Sequence, residues 1–147
     1  MITVRNLMQR KGHHVWQIEP HKSIFDALRL MTQKDIGALP VVDSSGLVGI
    51  ISERDIIKLL AQEDGFSAEK DVAQVMTKEV ITANPDSTIE DCMQLMTTYN
   101  IRHLPVLESD ALIGIVSIGD VIKAFIDDRD ETISHLEDYI SGPGYIP

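Results

Sequence analysis

The sequence predicts a mixed α/β (α+β) fold built from two β-α-β-β-α repeats, with a short extra helix near each end of the chain. The first observation is an internal repeat: residues 20–58 align without a gap with residues 85–123, and 18 of the 39 positions are identical. The second is that each copy alternates short β-branched runs with apolar patterns of helical period. Together they indicate one supersecondary unit written twice.

The chain opens with a short amphipathic helix, predicted from the apolar Val4, Leu7 and Met8 and ended by Gly12. A second version of this element occurs at 72–78. Extended segments follow each of them, at 15–20 and 80–85, and both end in proline. We expect these segments to be the first strand of each repeat.

The body of each repeat reads the same way. Ser23 and Thr88 are good N-cap residues for helices predicted over 24–34 and 89–99. Two short strands separated by a polar turn come next, at 38–42 and 47–51 in the first copy and at 103–107 and 112–116 in the second. A second helix begins directly after each hairpin.

These patterns divide the chain into four segments. Residues 1–62 form the first repeat with its N-terminal helix, 63–71 a polar linker, 72–126 the second repeat, and 127–147 an acidic C-terminal helix and tail. The C-terminal helix carries an apolar stripe that we expect to pack on the protein, and it should stop near Gly142 and Pro143. The stripe consists of Ile126, Ile133, Leu136 and Ile140.

Composition excludes several classes of function. The net charge of −10 disfavours nucleic acid and anionic membranes as partners, because both require clustered Lys and Arg. No apolar run approaches the roughly 20 residues of a membrane span, and the N-terminus lacks a signal-peptide core, so a cytoplasmic location is expected. The single cysteine, Cys92, excludes an internal disulfide, and His13 and His14 point apart in an extended chain, so no metal site is expected.

The strongest repeat lies at 49–58 and 114–123, where a strand ends at Ser52 or Ser117 and a helix starts at once. The free N–H groups and the positive end of a helix dipole there attract anions, phosphates above all. Asp55 and Asp120 fall at the third helical position. A carboxylate only accepts hydrogen bonds, so each could bind the vicinal hydroxyls of a ribose, or each could simply cap its helix.

This order of helix, L-P-V-V, polar turn, G-I-I-S-x-x-D and helix, written twice, resembles a pair of cystathionine-β-synthase (CBS) domains, a Bateman module, over about residues 1–126. The resemblance implies two clefts related by a pseudo-two-fold axis and a protein without catalytic activity. The ligands it implies are adenine nucleotides: AMP first, also ADP, ATP or NAD, and sometimes S-adenosylmethionine. It also implies a homodimer that signals nucleotide state to an unidentified regulated protein.

By the same resemblance the clefts are crossed, each taking residues from both repeats. The residues implied for cleft one are Ile50, Ser52, Arg54, Asp55, Ile81, Thr82, Arg102, His103, Leu104 and Pro105. Those implied for cleft two are Trp16, Gln17, Gly37, Ala38, Leu39, Pro40, Ile115, Ser117, Gly119 and Asp120. Gln17 departs from the family's usual threonine, which Thr82 keeps.

Two further expectations concern the clefts. Cleft one gathers Arg54, Arg102 and His103 and should prefer a phosphate-bearing nucleotide, whereas cleft two offers backbone amides and room but little charge. His103 could contact ligand or simply pack, and Trp16 could stack on an adenine or cap the core.

Three classes of function stay open from sequence. They are a nucleotide-binding regulatory module, a structural or dimerisation adaptor with empty clefts, and a nucleotide hydrolase using Asp55 or Asp120 as base. A homodimer is also expected because the repeat helices carry apolar residues on more than one face.

Overall fold

The computed structural model describes residues 1–12, 14–62 and 67–141. Two antiparallel hairpins carry the sheet structure: β1 (Ala38–Asp43) with β2 (Gly46–Ser52), and β3 (His103–Glu108) with β4 (Ala111–Ser117). The helices are α1 (Val4–Lys11), α2 (Ile24–Lys34), α3 (Glu53–Gln62), α4 (Val72–Val75), α5 (Ile89–Tyr99) and α6 (Ile118–Ser141). The predicted mixed fold of two similar units is confirmed.

The first helix of each repeat has the predicted bounds because residues next to each end determine where the helix starts and stops. Ser23 and Thr88 each close a capping box with the aspartate three residues on, Asp26 or Asp91. Both helices end at a residue in the left-handed conformation, Asp35 or Asn100, each with φ of 53°. Short polar side chains tolerate this conformation better than most.

The predicted first strand of each repeat is wrong in extent. It is reduced to one parallel bridge, from Ile18 to Val41 in the first unit and from Ala83 to Val106 in the second. Ile18 donates to the carbonyl oxygen of Pro40 and accepts from the amide of Val42. Pro20 follows two residues later and has no N–H to donate, so the pairing stops.

The predicted break between the last repeat helix and a C-terminal helix is also wrong, because α6 is one helix over both. No glycine or proline interrupts residues 120–141. The apolar stripe was expected to pack on the protein, yet Ile126, Ile133 and Leu136 are each more than half exposed in this chain. The side chain of Ile140, the predicted stop at 142–143, the remaining tail, His13 and the linker residues 63–66 lie outside the described residues.

The two hydrophobic cores exchange their short helices. Val4, Leu7 and Met8 of α1 are buried in the core formed by α5, β3, β4 and α6. Val72 of α4 is buried in the core formed by α2, β1, β2 and α3. The N-terminal helix therefore precedes the first repeat in sequence but packs on the second in space.

Each short helix crosses a strand at a glycine. A Cβ at Gly49 would lie 2.5 Å from Met76 Sδ and 3.0 Å from the backbone oxygen of Thr77. A Cβ at Gly114 would lie 2.6 Å from Met8 Cε, the far end of a flexible side chain. Only glycine lets the chains approach this closely.

We predict that Gly49→Ala lowers the free energy of unfolding by roughly 1–3 kcal/mol through overpacking. Gly114→Ala should cost less, because the methyl group of Met8 can rotate away whereas the Thr77 backbone cannot. Urea denaturation followed by circular dichroism measures both variants, and equal or reversed costs would contradict this account of the crossings.

Candidate functional site

Both strand-to-helix corners hold their aspartate by the same hydrogen bonds. The amide of Ser52 donates to Asp55 Oδ2 at 2.8 Å, and the amide of Ser117 donates to Asp120 Oδ2 at 2.9 Å. In return, the amide of each aspartate donates to the hydroxyl oxygen of its serine. The capping interpretation therefore fits both aspartates, and Asp55 also lines the cavity of cleft one.

Cleft one is a cavity of about 290 Å³ between the two repeats. Seven of its ten sequence-predicted residues line it: Ile50, Ser52, Arg54, Asp55, Ile81, Arg102 and His103. The first four come from the end of β2 and the start of α3, and the other three from the second repeat. This is the crossed arrangement that the resemblance implied.

Nine further residues line the same cavity, and sequence reasoning did not assign them to it: Gly37, Glu53, Lys58, Thr77, Glu79, Val80, Tyr99, Asn100 and Ile101. Thr77 is the most informative. Its hydroxyl donates to Asp55 Oδ1 at 3.2 Å, and its backbone exchanges two hydrogen bonds with Ile50. The only signal for it was its place in the second copy of the short amphipathic element.

Several residues predicted for the clefts have buried side chains. The side chains of Leu104 and Pro105, and of Ala38, Leu39 and Pro40 in the other repeat, are buried. They sit on the inner strands β1 and β3, where the hairpins meet their helices. Thr82 is partly buried and is not part of the cavity wall of cleft one. Gly37, assigned to cleft two from sequence, lines cleft one.

The basic groups of cleft one are held in different ways. Arg54 reaches across the cleft and donates to the backbone oxygen of Asn100 in the other repeat. Arg102 is exposed at the cavity wall. Burial lowers the pKa of His103, and although the nearby Glu53 acts in the opposite direction, the net pKa stays below the ordinary value. His103 is therefore a neutral hydrogen-bonding group at neutral pH.

The strand-to-helix corner implied for cleft two carries a positive charge that sequence reasoning missed. Lys11 Nζ, from the last residue of α1, donates to Asp120 Oδ2 at 2.6 Å and to the backbone oxygen of Ile115 at 2.8 Å. Burial raises the pKa of Asp120, but the hydrogen bonds from Lys11 and Ser117 outweigh it and lower the net pKa. The expectation of little charge in this cleft is wrong because it considered only residues within the repeats.

The remaining residues predicted for cleft two lie at the surface. Trp16 is about one-third exposed, with Lys34 Nζ 4.1 Å from its ring centroid and the ring of His14 packed edge-on at 4.1 Å. Gln17 and Gly119 are exposed. The Trp16 ring is thus in contact with a cation and with a second aromatic ring.

The sequence matches the family model described as the CBS domain over residues 4–62 and again over 72–127. The chain belongs to the CBS domain family. A CBS domain-containing protein of Arabidopsis thaliana, CBSX3, is 37% identical over an alignment that covers 97% of this chain and 73% of that protein. CBSX3 is described as mitochondrial, so the cytoplasmic location expected here stays a prediction.

Solved CBS structures share this fold over nearly their whole length. The CBS domain protein NE2398 has a TM-score of 0.81 and 42% identity, covering 86% of this chain and 99% of that one. CBSX2, solved in complex with AMP, has a TM-score of 0.72 and 31% identity over 88% of this chain and 99% of its own. The CBS pair of MJ0100, with the same TM-score and identity over 87% and 98%, was solved with 5-methylthioadenosine and S-adenosyl-L-methionine.

Within the described residues, no helix of this CBS pair is both long and apolar enough to cross a membrane.

The neutral state of His103 predicts a pH-dependent stability. Because its pKa in the folded protein lies below the ordinary value of 6.5, its stabilising contribution is complete above pH 6.5. That contribution is lost as the pH falls through the folded-state pKa, because the unfolded chain takes up the proton first.

His103→Gln keeps a neutral hydrogen-bonding side chain and removes this titration. We therefore expect the stability curves of the two proteins, measured by urea denaturation from pH 8 to pH 5, to differ in slope below pH 6.5. The natural protein should lose more stability than the variant over that range. Parallel curves would show that burial does not lower the pKa of His103.

Proposed function

We propose that this CBS pair is a non-catalytic regulatory module that binds an adenine nucleotide, AMP foremost with ADP, ATP or NAD as alternatives. It would report nucleotide state to a separate partner protein. One observation carries the proposal: cleft one combines a carboxylate fixed at a helix start with Arg102 and His103 from the opposite repeat. The adenosine ligands bound by CBSX2 and MJ0100 support the same class of ligand.

The chemistry of cleft one suits the parts of a nucleotide. Asp55 can accept hydrogen bonds from the two ribose hydroxyls once the Thr77 hydroxyl turns away. Arg102 and Lys58 can pair with phosphate, and neutral His103 can donate one hydrogen bond to it. The volume of about 290 Å³ is close to the lower end of small-molecule sites, roughly 300 Å³.

We predict that Asp55→Ala weakens AMP binding to cleft one by about 10- to 100-fold, the loss of a charge-assisted hydrogen bond of roughly 1.5–3 kcal/mol. Isothermal calorimetry measures the affinity. The variant should also lose about 0.3–1 kcal/mol of stability, because the carboxylate sits at a helix N-terminus.

Asp91→Ala is the matched control. Asp91 makes the same capping box, accepting from the amide of Thr88 at 2.9 Å, but it does not line the cavity. It should lose similar stability and keep its AMP affinity. Equal loss of AMP affinity in both variants would show that Asp55 acts only as a helix cap. Conversion of AMP to another compound during the titration would contradict a non-catalytic module.

We also propose that the module is a homodimer. Large apolar side chains remain outside both cores, among them Phe25 on α2, Ile57 and Leu60 on α3, and Ile122 and Ile126 on α6. An open apolar groove of Phe25 and Leu28 continues this surface. Monomers rarely leave so much apolar surface in water, and a symmetric pair of copies would cover it.

We predict a particle of twice the 16.4 kDa chain mass in multi-angle light scattering at micromolar concentration. Ile57→Asp combined with Phe25→Asp should halve that mass, because a carboxylate cannot be buried there without a partner. A 16.4 kDa particle from the natural sequence would rule the dimer out.

A further inference from the structure

Lys11 extends from the last residue of α1 to the strand-to-helix corner that holds Asp120. The helix that carries it, α1, is anchored in the second core by Val4, Leu7 and Met8, so the ammonium reaches the cleft from a fixed base. Its two acceptors are Asp120 Oδ2 at 2.6 Å and the backbone oxygen of Ile115 at 2.8 Å. Both acceptors belong to the strand-to-helix corner that would hold a ribose.

In cleft one, the corresponding backbone and carboxylate oxygens accept hydrogen bonds from uncharged donors. Ile50 and Asp55 stand 65 positions before Ile115 and Asp120. The oxygen of Ile50 accepts from the backbone amide of Thr77 at 2.8 Å, and Asp55 Oδ1 accepts from its hydroxyl at 3.2 Å. In cleft two, one ammonium donates both to the Ile115 oxygen and to Asp120 Oδ2, the carboxylate oxygen that also accepts from the Ser117 amide.

This exchange of donors changes what a ligand must do. A hydroxyl such as that of Thr77 can rotate and accept a hydrogen bond from an incoming sugar. Its hydrogen bond to the carboxylate can therefore be replaced with little loss of free energy. An ammonium has no acceptor capacity and forms a charge-assisted hydrogen bond, which is about twice as strong as a neutral one. A vicinal diol that uses both oxygens of Asp120 must therefore displace a cation from Oδ2 of a partly buried anion.

We infer that Lys11 is an internal competitor and specificity-determining residue of cleft two: it occupies Oδ2 of the carboxylate that would bind the sugar, so the two clefts of one chain bind nucleoside ligands unequally. The inference rests on the proposed function and adds a reason for the inequality that lies outside the repeats. The Lys11 side chain is 36% exposed, so solvent offsets part of the ion pair. We expect the competition to lower the affinity of cleft two by about 5- to 10-fold, the effect of a binding-competent state populated at roughly 10–20%.

Calorimetry with AMP tests the inference on the full chain and three variants: Lys11→Met, Lys11→Met with Asp120→Ala, and Arg10→Met. Methionine keeps the length of the side chain and removes its charge. Lys11→Met should strengthen the weaker binding phase by 5- to 10-fold, and adding Asp120→Ala should abolish that gain. Arg10→Met removes a neighbouring exposed charge from the same helix end and should bind AMP as the natural sequence does.

The outcomes separate this inference from the proposed function. If the phase that is sensitive to Asp55→Ala is present but Lys11→Met leaves the weaker phase unchanged or weakens it, the competitor role is overturned and the proposed function stands. If Arg10→Met gives the same gain as Lys11→Met, the effect is one of net charge and the competitor role is again overturned. If none of these proteins binds AMP, the proposed function is contradicted, and so is the competition between Lys11 and AMP.

Amine labelling provides a readout that does not depend on affinity. Acylation followed by peptide mass spectrometry should show Lys11 reacting more slowly than the exposed Lys78 in the free protein. Saturating AMP, or Asp120→Ala, should raise the rate at Lys11 and leave Lys78 unchanged. Equal rates for the two lysines in the free protein would show that Lys11 does not occupy Asp120, which overturns the inference.

Discussion

The exchange of short helices between the two cores is the constraint on which the rest of this molecule depends. Met8 packs against Gly114, and the partly buried Met76 packs against Gly49, which positions the C-terminal end of each short helix. Those ends place Lys11 in one cleft and Thr77 in the other. The packing that closes the hydrophobic cores therefore also decides which polar group faces each carboxylate.

The two corner aspartates serve stability and recognition together. Asp55 and Asp120 each accept from the amide of a serine that ends a strand, which holds the carboxylate rigidly and satisfies a helix start. The same rigidity would present the carboxylate to a sugar without further loss of side-chain entropy. Asp91 makes the same cap away from the cavity and shows that capping alone needs no cleft.

The two repeats, identical at 18 of 39 aligned positions, surround their corner aspartates with different groups. Ile50, Ser52 and Asp55 have exact counterparts in the second copy, so their backbone geometry is the same. The difference enters through Lys11, which precedes the repeat, and through Arg102, where the first copy has Gly37. Two sites with the same backbone geometry but different neighbouring side chains can bind two related ligands with different affinities.

The sequence alone determined what is local. Ser23 and Thr88 set the helix starts, Asp35 and Asn100 permit the helix ends, and the duplicated Ser-x-x-Asp places both carboxylates, because each depends on neighbours a few residues away. Only the tertiary structure decided which short helix completes which core, that Leu104 and its neighbours are core residues, and that Lys11 reaches Asp120. That ion pair joins residues 109 positions apart, and no periodicity or local spacing encodes a contact of such range.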